Sequence, residues 1–132
     1  MDKDLLTEQE IHEQGLMAVI QWLEKNGNEV IFAQPGKHDL PNLLIKNGNI
    51  LTYVLVGVAM YPNKGTVDEQ DKVLLLQHTQ ENGALAAIAS IGLANAYAVE
   101  TGDKARIGVP ERNARFLADF SGLQYIQFEN EG

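Results

Sequence analysis

The chain has 132 residues, no cysteine and a formal charge of −8. The missing cysteines exclude a disulfide framework and thiolate metal sites. The acidic balance, with ten scattered basic residues, disfavours unaided binding to nucleic acid, where Lys and Arg must face phosphates.

The length is that of one domain, 1–132, with 45% hydrophobic and 21% charged residues, as in a globular protein. MDKDLLTEQE lacks the basic and apolar regions of a secretory signal. The longest apolar runs, 50–61 and 84–99, are broken by Thr, Gly, Ser or Asn and are short for a membrane span. A cytoplasmic protein without a membrane partner is expected.

In chain order, residues 1–6 read as a frayed tail. Thr7 and Glu10 fit a capping box, which predicts a helix to about Lys25, stopped by Asn26-Gly27. Ile11, Gly15, Ala18, Val19, Trp22 and Leu23 form its apolar stripe. Glu8, Glu10, Glu13 and Glu24 lie mostly off that stripe and read as a solvated face. EVIFAQ, 29–34, reads as a strand ended by Pro35 and Gly36. In the loop 35–41, His38-Asp39 is the one polar pair that could do chemistry.

Residues 41–61, PNLLIKNGNILTYVLVGVAMY, read as a hairpin turning at Asn47-Gly48 in a type I′ turn. The second arm, from Ile50 to Met60, is almost continuously apolar, as in a central strand covered on both faces. That turn pairs Lys46 with Asn49, Leu44 with Leu51, Leu43 with Thr52 and Asn42 with Tyr53. Asn42, Tyr53, Leu55 and Gly57 then share one face, with Asn42 and Leu55 as diagonal neighbours.

Thr66 and Glu69 repeat the capping-box spacing and predict a second helix to about Glu81, stopped by Asn82-Gly83. Val73, Leu74, Leu75 and Leu76 make it apolar over much of its circumference, so firm packing on a sheet is expected. His78 reads as a structural side chain beside that stripe. In 84–96, alanine favours helix while Gly83, Ile88, Ile91 and Gly92 suit a buried strand. A strand over about 85–91 is expected, followed by a short helix or loop. Pro110 opens a short helix through Phe116, or 115–120 forms a strand. LQYIQF, 123–128, reads as the last strand.

The expected fold class is α/β: a mixed sheet with helices on its faces. The order of elements and the hairpin together resemble the PD-(D/E)xK, restriction-endonuclease-like, nuclease superfamily with its αβββαβ core. Pro41-Asn42 stands at the family's Pro-Asp, and Leu55-Val56-Gly57 at its Glu-x-Lys. The segment 77–83, QHTQENG, matches the family's style of junction before the fourth strand. The resemblance covers about residues 7–91. It implies a site where two carboxylates hold Mg²⁺ and a lysine helps the attacking water.

The residues at those positions depart from the pattern. Asn42 has lost the charge, Leu55 has no ligand atom, and Gly57 has no cation. The family's catalytic residues and its cofactor are thus not expected here. Asp39, Tyr53, His78 and Glu81 are the candidate binding residues. No phosphate loop, H-E-x-x-H or G-x-S-x-G occurs, and His12, His38 and His78 are too widely spaced to suggest a zinc site.

Three readings follow. The first is an inactive nuclease-like domain that binds a protein partner or assembles with itself. The second is a Mg²⁺-dependent hydrolase whose site has migrated to Asp39, Glu81 or a carboxylate of the first helix. The third is a small-ligand-binding or structural α/β domain.

Overall fold

The computed structural model describes residues 4–128. A mixed α/β sheet of six strands has the order β1(Glu29–Ala33), β2(Leu43–Asn47), β3(Ile50–Met60), β4(Leu85–Asn95), β5(Phe116–Asp119), with β6(Gln124–Ile126) also on β4. β1, β2 and β3 are antiparallel neighbours, and β4 lies parallel to β3. β5 and β6 pair antiparallel with opposite halves of β4's far edge. The helices are α1(Glu8–Lys25), α2(Glu69–Asn82) and α3(Ala96–Thr101). No helix among the described residues is long and apolar enough to cross a membrane.

The alternation of side chains along β3 assigns a helix to each face. Leu43, Ile45, Val54, Val56, Ala87, Ala89, Ile91 and Leu93 pack against Leu16, Val19 and Leu23 of α1. Leu55, Ala86 and Ile88 pack against Leu75 of α2 on the opposite face. Trp22 closes the first core edge-to-face on Phe120, with ring centroids 5.1 Å apart.

α1 starts as expected. Thr7 accepts from the Glu10 N–H at 3.2 Å, and Glu10 accepts from the Thr7 N–H at 3.0 Å. Glu10 also takes a fork from Arg112 at 2.7 and 2.9 Å. Arg112 first, and the Thr7 N–H second, hold the Glu10 carboxyl down at about 2. The described end of the tail is not frayed: Leu6 donates to the Pro110 carbonyl at 2.8 Å, and Leu5 bridges Glu111. Residues 1–3 lie outside the described residues.

The hairpin turn differs from expectation by one position. Asn47 pairs with Ile50, so the turn residues are Gly48 and Asn49. Gly48 takes φ +61 while Asn49 stays out of the positive region. A turn with glycine at its first central position needs only one such residue, which spares asparagine the cost. Leu44 thereby faces Tyr53 rather than Leu51, and Leu43 faces Val54 rather than Thr52. The partners move by two, so every strand side chain keeps its face.

The second helix also departs from expectation. Its N-cap is Asp68, and Thr66 forms no capping box, because the Thr66 backbone is laid across Gly57. Only Leu75 and Thr79 of α2 are buried, while Val73 and Leu74 are each 44% exposed. Four consecutive apolar residues span more than one helix turn, so they cannot all meet one sheet face. β4 runs four residues past the expected stop at 91, because β3 pairs with it as far as Leu93 and β5 as far as Asn95. The strand alternative holds for β5, and the described residues after Pro110 contain no helix. The last strand is shorter than 123–128 and ends at Ile126.

At Gly15, α1 lies close against the sheet: a Cβ there would overlap both methyl groups of Val58. Overpacking of this kind costs about 1–3 kcal/mol, against about 1 kcal/mol of helix propensity gained. Gly15→Ala is expected to lower the unfolding free energy in urea. Val58→Ala in the same chain should recover that loss, giving a favourable coupling in the double-mutant cycle.

Candidate functional site

A cleft of about 260 Å³ opens where the first turn of α1, the loop 34–41, the second half of β3 and the start of α2 converge. Its floor runs along β3 from Leu55 to Met60, and Asn42 forms its inner wall. Charged groups stand around the rim: Glu8, Lys37, His38 and Asp39 on one side, Asp68 and Asp71 on the other.

The loop is fixed before it reaches the cleft. Gly36 donates its N–H to Asp39 Oδ2 at 2.8 Å, and the Asp39 N–H returns to the Gly36 carbonyl at 3.0 Å. Gln9 clamps the outside by accepting from the Lys37 N–H at 2.8 Å and donating to the Pro35 carbonyl at 2.7 Å. Lys37 Nζ meets Glu8 at 2.9 Å, which draws the Glu8 carboxyl below its usual range. The one lysine of the rim is therefore already paired.

Asn42 is 1% exposed and every polar atom it carries is used. Its N–H donates to the Val54 carbonyl at 2.9 Å, and its carbonyl accepts from the Gln34 N–H at 2.7 Å. In the side chain, Oδ1 accepts from the Val56 N–H at 2.9 Å. Nδ2 donates to the carbonyls of Gln34 at 3.1 Å and Gly36 at 3.0 Å. His12 Nε2 lies 3.4 Å from the same nitrogen. This corrects the expectation of a side chain standing on the face with Leu55 and Gly57. Asn42 precedes β2, and its amide bonds to the β3 backbone as one more rung of the ladder.

The other motif positions are closed in different ways. Leu55 is buried against Leu75. At Gly57, an added Cβ would lie 2.5 Å from the Thr66 carbonyl oxygen and 2.9 Å from the Thr66 nitrogen. The segment between β3 and α2 crosses there at backbone distance, and Gly65 packs directly on Gly57. Ser90 on β4 ties that segment down by donating to the Gly65 carbonyl.

The candidate binding residues do not form one group. Asp39 belongs to the cleft. Tyr53 and His78 pair with each other, rings edge-to-face at 4.7 Å, in the packing under α2. Glu81 is exposed near the end of α2, away from the cleft lining. His12 was not among the candidates although it lines the cleft and is only 3% exposed. Its signal was available: positions 12, 16, 19 and 23 follow helical spacing, a stripe offset by one from that of Ile11, Ala18 and Trp22. Burial first, then Lys37, pushes the His12 ring below the ordinary histidine pKa.

Among the described residues no group of three or more His, Cys, Asp or Glu side chains is arranged to hold a metal ion. None of their buried side-chain polar atoms lacks a hydrogen-bond partner. A family model described as "Domain of unknown function (DUF8840)" matches residues 9–126, from the first turn of α1 to the end of β6. No curated protein matches the chain.

Asn42→Asp tests the donor half of this amide by itself, since Asp keeps the acceptor for Val56 and loses both hydrogens. A carboxylate facing the Gln34 and Gly36 carbonyls is expected to cost about 2–4 kcal/mol of unfolding free energy. Urea denaturation at neutral pH measures it. A variant as stable as the parent would remove Asn42 from its structural role.

Proposed function

We propose that this chain, which belongs to the DUF8840 family, is a nuclease-like scaffold whose catalytic positions have become packing positions, and that it works by binding. The observation that carries this reading is the condition of the three motif positions. Asn42 is spent on backbone hydrogen bonds, Leu55 is in the core, and Gly57 is sealed by the Thr66 backbone. The order helix, three antiparallel strands, helix, parallel strand is the arrangement an αβββαβ core requires, and it supports the same reading.

In this proposal a protein partner or a second copy occupies the exposed surface in the cytoplasm, and nucleic acid does not bind without help. The charge of −8 opposes phosphate contacts. No metal takes part.

The second reading, a hydrolase with a displaced site, draws on the carboxylates of Glu8, Asp39, Asp68 and Asp71 around one cleft with Lys37. Its weakness is that Lys37 is committed to Glu8. The described residues also hold no group of three or more His, Cys, Asp or Glu side chains arranged for a metal ion.

One pair of measurements separates the two. Purified protein with Mg²⁺ or Mn²⁺ is expected to leave single- and double-stranded DNA and RNA uncut, and isothermal titration is expected to give no Mg²⁺ binding heat at millimolar concentration. Metal-dependent cleavage that disappears in Asp39→Asn would overturn the inactive reading.

A further inference from the structure

His12 Nε2 faces a group that can only donate. The Asn42 amide cannot turn over: reversal would set its NH₂ against the Val56 N–H and its oxygen against the carbonyls of Gln34 and Gly36. Both amide hydrogens already have carbonyl acceptors at 3.1 and 3.0 Å. A neutral ring with its hydrogen on Nδ1 suits this environment. A proton on Nε2 would point at the NH₂ with no acceptor, on a residue only 3% exposed.

We infer that His12 is an acid-sensitive latch on the cleft: protonation of its ring drives α1 and the Asn42 junction apart and releases the loop 34–41. The latch rests on the geometry of the junction and holds whether or not the nuclease-like reading does.

The groups around the ring act in both directions. Lys37 and His38 of the loop oppose a charge on it, while Asp39 of the loop and Glu13 of α1 favour one. The β3 residues lining the cleft are uncharged, and Asp68 and Asp71 face it from the start of α2. Burial is the largest influence and lowers the ring's pKa. Between the unfolded value of about 6.5 and the lowered folded one, the unfolded chain holds more protons. Stability is therefore full above about pH 6.5 and falls as the pH drops toward the lowered value.

The test follows the full chain by NMR from pH 8 to pH 5, reading the three imidazoles separately along with the amides of Gln34, Gly36 and Val56. The expected result is a His12 midpoint below about 6.5, with all three amides shifting at that same midpoint. Exchange of the Val56 amide, corrected for its intrinsic pH dependence, should rise about tenfold for each unit by which His12 is depressed.

His12→Gln offers an acceptor that does not titrate and should hold the Val56 amide protected at pH 5. His38→Gln should leave the whole response in place. Amides that stay still while His12 titrates, that follow His38 or His78, or that still respond in His12→Gln would each overturn the latch. The comparison of midpoints in the unaltered chain decides the matter even if His12→Gln does not fold.

Discussion

The structure depends on one buried amide. Asn42 joins four pieces of chain that do not otherwise meet at one point: the end of β1 through Gln34, the loop through Gly36, β3 through Val54 and Val56, and α1 through His12. Each bond is ordinary, worth on the order of 1 kcal/mol net. The value of the residue lies in its combination of a donor and an acceptor in a planar group. Neither a carboxylate nor an aliphatic side chain of similar size could meet the N–H of Val56 and two carbonyls together. The same commitment leaves the amide no free hydrogen for a ligand and ties its oxygen to the Val56 N–H.

A second constraint is the close approach of backbone to backbone above Gly57. Residues 61–68 leave β3, pass Gly92 of β4 at Asn63 and then cross β3 at Gly57 with Gly65 and Thr66 before α2 begins. Side chains at those glycines would prop the segment away from the sheet, and Val67, which packs with Leu55 and Leu75, would leave its place. Lys64 fixes the outer side of the crossing by pairing with Asp119 of β5 at 3.5 Å. The charged groups of the cleft thus stand on its rim.

Local chemistry was legible where a short stretch decides its own conformation. The Thr7–Glu10 cap, the stop at Lys25, both hairpin strands and the division of β3 side chains between two faces all follow from propensities and periods. Elements decided by distant chain were not legible. Thr66 has the spacing of a cap but is recruited as a cover for Gly57, a role visible only once β3 and the crossing are brought together. The run ALAAIASIGLANA became one long strand because β3, β5 and β6 all pair with it, outweighing the helix preference of alanine. The turn was misplaced by one because Asn47-Gly48-Asn49 offers both an Asn-Gly pair and a glycine-first pair, and the choice between them rests on the φ of Asn47, which stays out of the positive region. At the site, the register placed Asn42, Tyr53, Leu55 and Gly57 on one face, but the Asn42 amide turns to backbone groups and Tyr53 packs on His78, and the burial of His12 depended on the distant loop 34–41.

The Glu10–Arg112 fork joins residues 102 positions apart. Closing so long a loop costs chain entropy that neighbouring contacts do not. α1 can form its own cap from residues 7–10 at once, but the segment ahead of it acquires an anchor only after β4 and α3 exist to present Arg112. The contact belongs to the slow, non-local class that sets folding rate by topology. The described segment ahead of α1 is thus among the last parts to be secured.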